Sequence, residues 1–427
     1  MDDSSKVATP SLQRGPLPGL DLSFIEDGRS TRSRNERRRT MRSFAAPLFI
    51  TVTWVIVVVA TNSVGRVGEH FLAAVTMVFG SFVAGSTPQG GGAVAFPVFT
   101  KALSVPAETA RSFSLCIQAI GMTSASLAII AGGRTVAWRA IALAAPSGII
   151  GLILTLLLLG DSSAPFWPSS LPGPYVKVTF TLVVAAMAWV VFVGLRTPIR
   201  SVTNAIPDID GSVRVALIVG GLLGGVASAM VGSGADVFTY IVVVILLGVR
   251  SSIGVPTAVI TMAIVSVAGF VMVGLLDGQL FVELATVDGE QMVAAVGGHA
   301  LAEPTALAQA DLFGMWLAAI PIVAWGAPAG AWVAARMTPR MLLGLALTVA
   351  AAEIISTLIF LDDLRTDPVL AIYAAVGAIV AIAGITLLAQ RSRELFGLSG
   401  VDYSESLKRS SVEVAPTYQR DIAGDDR

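Results

Sequence analysis

The chain has 427 residues, 54% of them hydrophobic and only 13% charged, with a mean hydropathy of +0.78 and a formal net charge of −1. Soluble domains carry about 25% charged residues, so a soluble fold is excluded and an all-α polytopic membrane protein is expected. Cys116 is the only cysteine, which excludes an internal disulfide and a cysteine metal site, and the two histidines, His70 and His299, fall in polar connectors.

Residues 1–43 are rich in Ser, Pro, Gly and charge and read as a disordered arm. The arm carries Arg29, Arg32, Arg34, Arg37, Arg38, Arg39 and Arg42, directly before an apolar span from Phe44 to Ala60. A basic cluster beside a first span holds that end in the cytoplasm. No aromatic pattern accompanies it, so no nucleic acid is expected as a partner, and no cleavable signal peptide is apparent. Further apolar segments run from Phe71 to Thr100 (broken), Ser112 to Ala131, Val136 to Gly160, Tyr175 to Leu195, Val213 to Val249 (broken), Ser252 to Leu276, Leu312 to Ala335, Met341 to Leu361 and Val369 to Gln390.

The two breaks matter most. Gly80 to Pro97 reads GSFVAGSTPQGGGAVAFP, and Gly220 to Phe238 echoes it as GGLLGGVASAMVGSGADVF. Each glycine costs a helix roughly 1 kcal/mol against alanine. Irregular backbone at membrane depth is tolerated only inside protein or beside a water-filled cavity. Two such breaks in corresponding places point to a transporter's binding site.

Connector charges fix how the broken segments run. If the first turned at its glycines and went back, Arg134 and Arg139 would be cytoplasmic, Asp161 to Pro174 external, and Arg196 to Arg214 cytoplasmic, as the positive-inside rule requires. Treating the second likewise puts Arg250, Arg336 and Arg340 inside and the acidic connector Asp277 to Asp311 outside. The expectation is eight crossing helices plus two helical hairpins, with arms of about 15–18 residues, in an inverted repeat. The expected units are a cytoplasmic arm (1–43), a first repeat (44–213, broken at 71–100), a second repeat (214–390, broken at 214–249, with an external connector 277–311) and a cytoplasmic tail (391–427). Both termini are expected in the cytoplasm of a cell-membrane protein.

The stretches AGSTPQGGGAVAFPVF, Ser114-Leu115 and GGRTVAWRAIAL resemble the first half of the TauE/SafE family of membrane anion exporters. GGLLGGVASAMVGSGADVF, Pro256-Thr257 and WGAPAGAWVAARMTPRMLLG resemble its second half, so the resemblance covers most of Phe71 to Leu361. It implies export of a small sulfur-containing or organic anion, with no enzymatic activity. The family's second glycine motif usually carries no acid, whereas this chain has Asp236.

The expected substrate site comprises the tips: Ser86, Thr87, Gln89, Gly90, Gly91, Gly92, Gly232, Ser233 and Gly234. Their neutral donors and the positive ends of half-helices suit a small anion, and glycine permits close backbone approach; tight helix packing is the plainer reading of the same glycines. Asp236 is the sharpest single residue, because a carboxylate near the bilayer centre costs on the order of 3 kcal/mol and is usually functional. It is a candidate proton carrier, or else a structural acid satisfied by Thr239 or Ser233. Glu353, beside Ser356 and Thr357, is a second candidate for which structural pairing is favoured. Lys101, Glu108 and Arg111 read as a solvated connector, with an electrostatic exit for anions as the sharper alternative, and Cys116 reads as core. No cofactor or metal is expected. The expected partners are a small anion, the bilayer and protons; substrate identity and oligomeric state are not legible. A non-transporting scaffold or sensor is the alternative. An intramembrane aspartyl enzyme is disfavoured, because Ala235 separates the acid from the glycine pair.

Overall fold

A computed structural model describes residues 41–159, 172–196 and 209–395. The expected arm up to residue 40, most of the loop Asp161 to Pro174, the connector holding Arg200, and the tail beyond 395 lie outside the described residues, as do both chain termini.

The helices are α1 (Ala45–Ala60), α2 (Val64–Glu69), α3 (Phe71–Ser86), α4 (Gly92–Pro97), α5 (Ala107–Ala131), α6 (Trp138–Leu159) and α7 (Gly173–Arg196). Then follow α8 (Gly211–Val231), α9 (Ala235–Tyr240), α10 (Ser251–Gly269), α11 (Leu312–Ala334), α12 (Pro339–Phe360) and α13 (Pro368–Leu395). Among the described residues, seven helices are long and apolar enough to cross a membrane, and shorter apolar helices cover Phe71–Ser86, Gly173–Trp189, Ala235–Leu246 and Pro368–Gly384. Local chemistry sets several starts. Asp210 and Asp311 accept the backbone N–H of Val213 and Gly314, at 2.8 and 2.9 Å, as N-caps of α8 and α11. Thr338 caps α12, with Pro339 at its first position.

Each broken segment folds back on itself. After α3 the chain leaves the helix at Thr87, and Gly91 returns to lie against Gly80, Ala84 and Met77. His70, at the root of α3, lies against Gly314, and early in α5 Cys116 O accepts from Trp316 at 3.1 Å, so both helices begin at the same end of α11. The second segment repeats this: Gly234 meets Ala227, Ala235 meets Gly224, and Val242 meets Gly220, an antiparallel pairing of α9 on α8. The arms are unequal, a correction to the expected 15–18 residues. The outgoing arms hold 16 and 21 residues, while the returning helices hold 6 each before running into π turns over Val98–Ala102 and Ile241–Leu246.

The halves pack by exchange. α3 lies on α11 as α8 lies on α6, and α5 crosses α10 at the centre. Small residues allow the close approach: a methyl at Gly85 would overlap Ala327 O, and one at Gly225 would overlap Gly148 O. Even the exits match. Leu103 N donates to Val98 O and Val105 N to Phe99 O after the first return; Leu247 N donates to Val242 O and Val249 N to Val243 O after the second. α1 and α13 stand outside this pattern, α1 tied to α11 by Trp54 and Trp325 and α13 to α7 by Tyr373 and Trp189.

The acidic connector is not a plain loop. It forms an antiparallel meander of β1 (Val282–Val287), β2 (Glu290–Val296) and β3 (His299–Ala306). Asp288-Gly289 and Gly297-Gly298 close its two hairpins with positive φ at both positions, the signature of type I′ turns. The sheet, Asp277 and Asp311 share one end of the bundle. At the other end, Arg134 donates to Ala331 O at 2.7 Å, on the last turns of α11 before Arg336.

Candidate functional site

The two tips meet in the middle of the packed core, and their residues are buried throughout. Gly90 has φ +68° and is where they touch: a Cβ built there would lie 2.7 Å from Asp236 Oδ2, 2.8 Å from Gln118 Oε1 and 2.9 Å from Ser233 Oγ. Only a residue without a side chain leaves that point open. Gly92 faces Ser114 and Ser233 in the same way, and Gly232 (φ +81°) faces Ser114 and the backbone of Arg111. Ser233 Oγ donates to Gln89 O at 3.3 Å, joining tip to tip.

Not every expected donor points into this junction. Ser86 and Thr87 donate back to Phe82 O and Val83 O, at 2.8 and 3.0 Å, and so end α3. Gln89 Nε2 donates to Ala346 O of α12 at 3.1 Å, which anchors the first tip on the scaffold. Gly91 packs against α3, and Gly234, at φ +156°, packs against Ala227. The central cluster is therefore Gly90, Gly92, Gly232, Ser233 and Asp236, joined by two residues of α5 absent from the expected site, Ser114 and Gln118. Gln118 Nε2 donates to Gly232 O and Ser114 Oγ, both at 2.8 Å. Ser114 Oγ donates to Gly232 O at 3.1 Å.

Asp236 sits in the first turn of α9, wholly buried. Its Oδ1 accepts Val237 N–H at 2.9 Å, while Oδ2 has no partner. Of the two expected satisfiers, Ser233 lies beside the carboxyl while its hydroxyl donates to Gln89 O, and Thr239 Oγ1 is itself unpaired. Gln118 Oε1 is unpaired as well. Two buried acceptor oxygens thus border one point whose nearest hydroxyl, Ser233 Oγ, also donates to Gln89 O, a costly state for any buried polar pair. A proton on Oδ2 makes the carboxyl the missing donor. Beside the first tip lies a cavity of about 10 Å³, lined in part by Ser81, Gly91, Gln118 and Val323, room for about one water.

Glu353 belongs to a different cluster. Lys101 Nζ, in the π turn after α4, donates to Glu353 Oε1 and Oε2 at 3.0 Å and to Ser356 and Thr357 at 2.8 Å; Thr181 of α7 also donates to Glu353 at 2.8 Å. Glu353 is thus fully partnered, by Lys101, Thr181, Ser356 and Thr357. The solvated-connector reading of Lys101 and Arg111 is overturned. Lys101 is 6% exposed in its side chain, and Arg111 is fully buried because α5 begins at Ala107, a turn earlier than the apolar pattern marks. Cys116 is a free, buried core thiol.

A family model described as Sulfite exporter TauE/SafE matches residues 72–354, a range that takes in both tips and the whole of the exchanged packing. No curated protein matches the chain, and no solved structure does.

Proposed function

The chain belongs to the sulfite exporter TauE/SafE family of membrane anion transporters, and on that premise we propose a proton-coupled exporter that holds one small anion, sulfite or an organosulfur acid, between the two tips. The observation that carries the reading is the open point beside Gly90, where the tips of two oppositely running hairpins bring Asp236 Oδ2, Gln118 Oε1 and Ser233 Oγ together. An inverted pair of hairpins meeting at one buried point is the arrangement that alternating access uses.

Acceptor oxygens repel an anion, so the protonation state of Asp236 decides what the junction tolerates. With Oδ2 protonated, the carboxyl is neutral and donates. Loss of that proton leaves a buried negative charge beside the anion, and the junction has to open. Proton release and anion release are then one event. The positive-inside pattern supports placing Arg134 and Arg336 in the cytoplasm, the sheet outside, and the protein in the cell membrane with cytoplasmic termini.

Flux in proteoliposomes tests this, with radiolabelled sulfite and a panel of sulfonates and carboxylates, with and without an imposed pH gradient. Wild type should show gradient-driven flux. Asp236→Asn, which keeps a permanent donor at Oδ2, should exchange anion across the membrane yet lose the response to the gradient. Equal gradient response in both proteins would make Asp236 structural. Wild type inert to every anion would remove the transporter reading of this site.

A further inference from the structure

Arg111 is a buried cation with no described carboxylate in contact; Glu108 and Asp277 act on its charge only from a distance. Its Nη1 donates to Ala229 O at 3.0 Å, in the last turn of α8 before the second tip, and Nη2 donates to Ser112 Oγ at 3.2 Å. Nε has no partner, and among the described residues no carboxylate lies within 4.0 Å of the guanidinium. An unpaired buried charge is strongly unfavourable, and nature retains one where something else supplies the counter-charge. Capping α8 uses one of its five N–H donors and leaves the guanidinium without an ion-pair contact.

Its place on α5 indicates what the counter-charge is. Arg111, Ser114 and Gln118 are spaced three and four apart and so fall on one face of the helix. All three reach the end of α8 or the second tip: Arg111 at Ala229 O, Ser114 and Gln118 at Gly232 O. The stripe rises about 10 Å from the cation to the amide that borders Asp236. A polar chain leaves Arg111 in the other direction. Ser112 Oγ donates to Gln279 Oε1 at 2.5 Å, and Gln279 Nε2 donates to Asp277 Oδ2 at 2.6 Å, at the foot of the sheet.

We propose that Arg111 is the cationic partner of the transported anion, gripping a sulfite or sulfonate oxygen through its free Nε–H on the sheet side of the tips. The inference rests on the transporter reading above and adds the residue that binds charge. A guanidinium offers paired donors that match oxyanion oxygens, which an ammonium does not reproduce. The anion lies between Arg111 and the proton site, so ionisation of Asp236 drives it toward Arg111 and the sheet.

The test uses the full-length protein, reconstituted for exchange of radiolabelled sulfite and held in detergent for thermal unfolding with and without sulfite. Arg111→Gln should raise KM for sulfite by about tenfold or more, the effect of losing one charge-assisted contact, with the maximal rate much less changed. Sulfite should raise Tm of wild type and of Asp236→Asn but not of Arg111→Gln. Arg111→Lys keeps the charge over Ala229 O and carries the test should the glutamine variant not fold; its KM should rise several-fold. An unchanged KM in Arg111→Lys and Arg111→Gln, or equal stabilisation of wild type and variant by sulfite, overturns the inference and leaves Arg111 as a cap on α8. Wild type neither moving nor stabilised by sulfite or the sulfonate and carboxylate panel overturns the transporter reading, and this inference with it.

Discussion

The two halves share a backbone and divide the chemistry. Their return helices, π turns and exits match, with Val105 and Val249 in equivalent places. Counted from that pair, Arg111, Ser114 and Gln118 of α5 correspond to Val255, Ala258 and Met262 of α10, and Asp236 of the second tip corresponds to Gly92 of the first. Lys101, latched to Glu353, corresponds to Ile245. One half supplies the cation, the amide and the Ser114 hydroxyl; the other supplies the acid and the Ser233 hydroxyl. Duplicated packing makes a frame in which each half leans on the other, whereas a single asymmetric site needs each residue type only once.

The comparison is sharpest at the paired glycines Gly90 and Gly234. Gly90→Ala places a methyl against Asp236 and, on the proposed coupling, should abolish gradient-driven flux, with a stability cost of about 1–2 kcal/mol for its left-handed backbone. Gly234→Ala meets Ala227 Cβ at 2.5 Å and should act through packing, with the larger fall in Tm. The reverse pattern, measured by flux and thermal unfolding side by side, would show that the chemistry is not divided this way.

Next in size is the latch. Glu353→Gln strands the Lys101 charge and should cost about 3–5 kcal/mol, while the double variant Lys101→Met with Glu353→Leu should recover most of it. Equal unfolding midpoints for the single and double variants would refute a purely structural pairing.

The roots of the hairpins differ too, by smaller amounts. Asp311 anchors the first by accepting from His70 Nε2 at 3.0 Å, from Arg66 and from Gly314 N; burial raises its pKa, but these bonds outweigh it and hold the carboxyl below its ordinary value. Asp210 anchors the second from an exposed position. The Val213 N–H, then the Ser212 hydroxyl, hold its carboxyl below its ordinary value, so its contribution is present above about pH 4 and is lost as pH falls through the folded value. Asp210→Ala should lower Tm slightly at pH 7, and the difference should shrink as pH falls below about 4 and through the lowered folded value. A difference that persists in acid would exclude the cap as its source.

Glycine runs in apolar segments were legible because they break a strong periodic pattern, and connector charges were enough to read the fold-back. Arg111 escaped because apolarity marks Ser112 as the start of its span, whereas Pro106 and the 111–114–118 spacing mark an earlier start and a polar face. The meander escaped although Asp288-Gly289 and Gly297-Gly298 punctuate it, because its charges read as a plain connector. The surroundings of Asp236 were legible in part: Ser233 lies beside it as its sequence position suggests, but the hydroxyl's turn to Gln89 O depends on a residue far away in the chain.

The π turns at Val98–Ala102 and Ile241–Leu246 give the hairpins slack. A π turn stores an extra residue, and passing it on into the neighbouring α-helix advances an arm by about 1.5 Å while most backbone hydrogen bonds are exchanged for new ones. Each tip thus hangs on a coil that can pay out a step without unwinding. Separating two tips by the radius of an oxygen atom takes one such step.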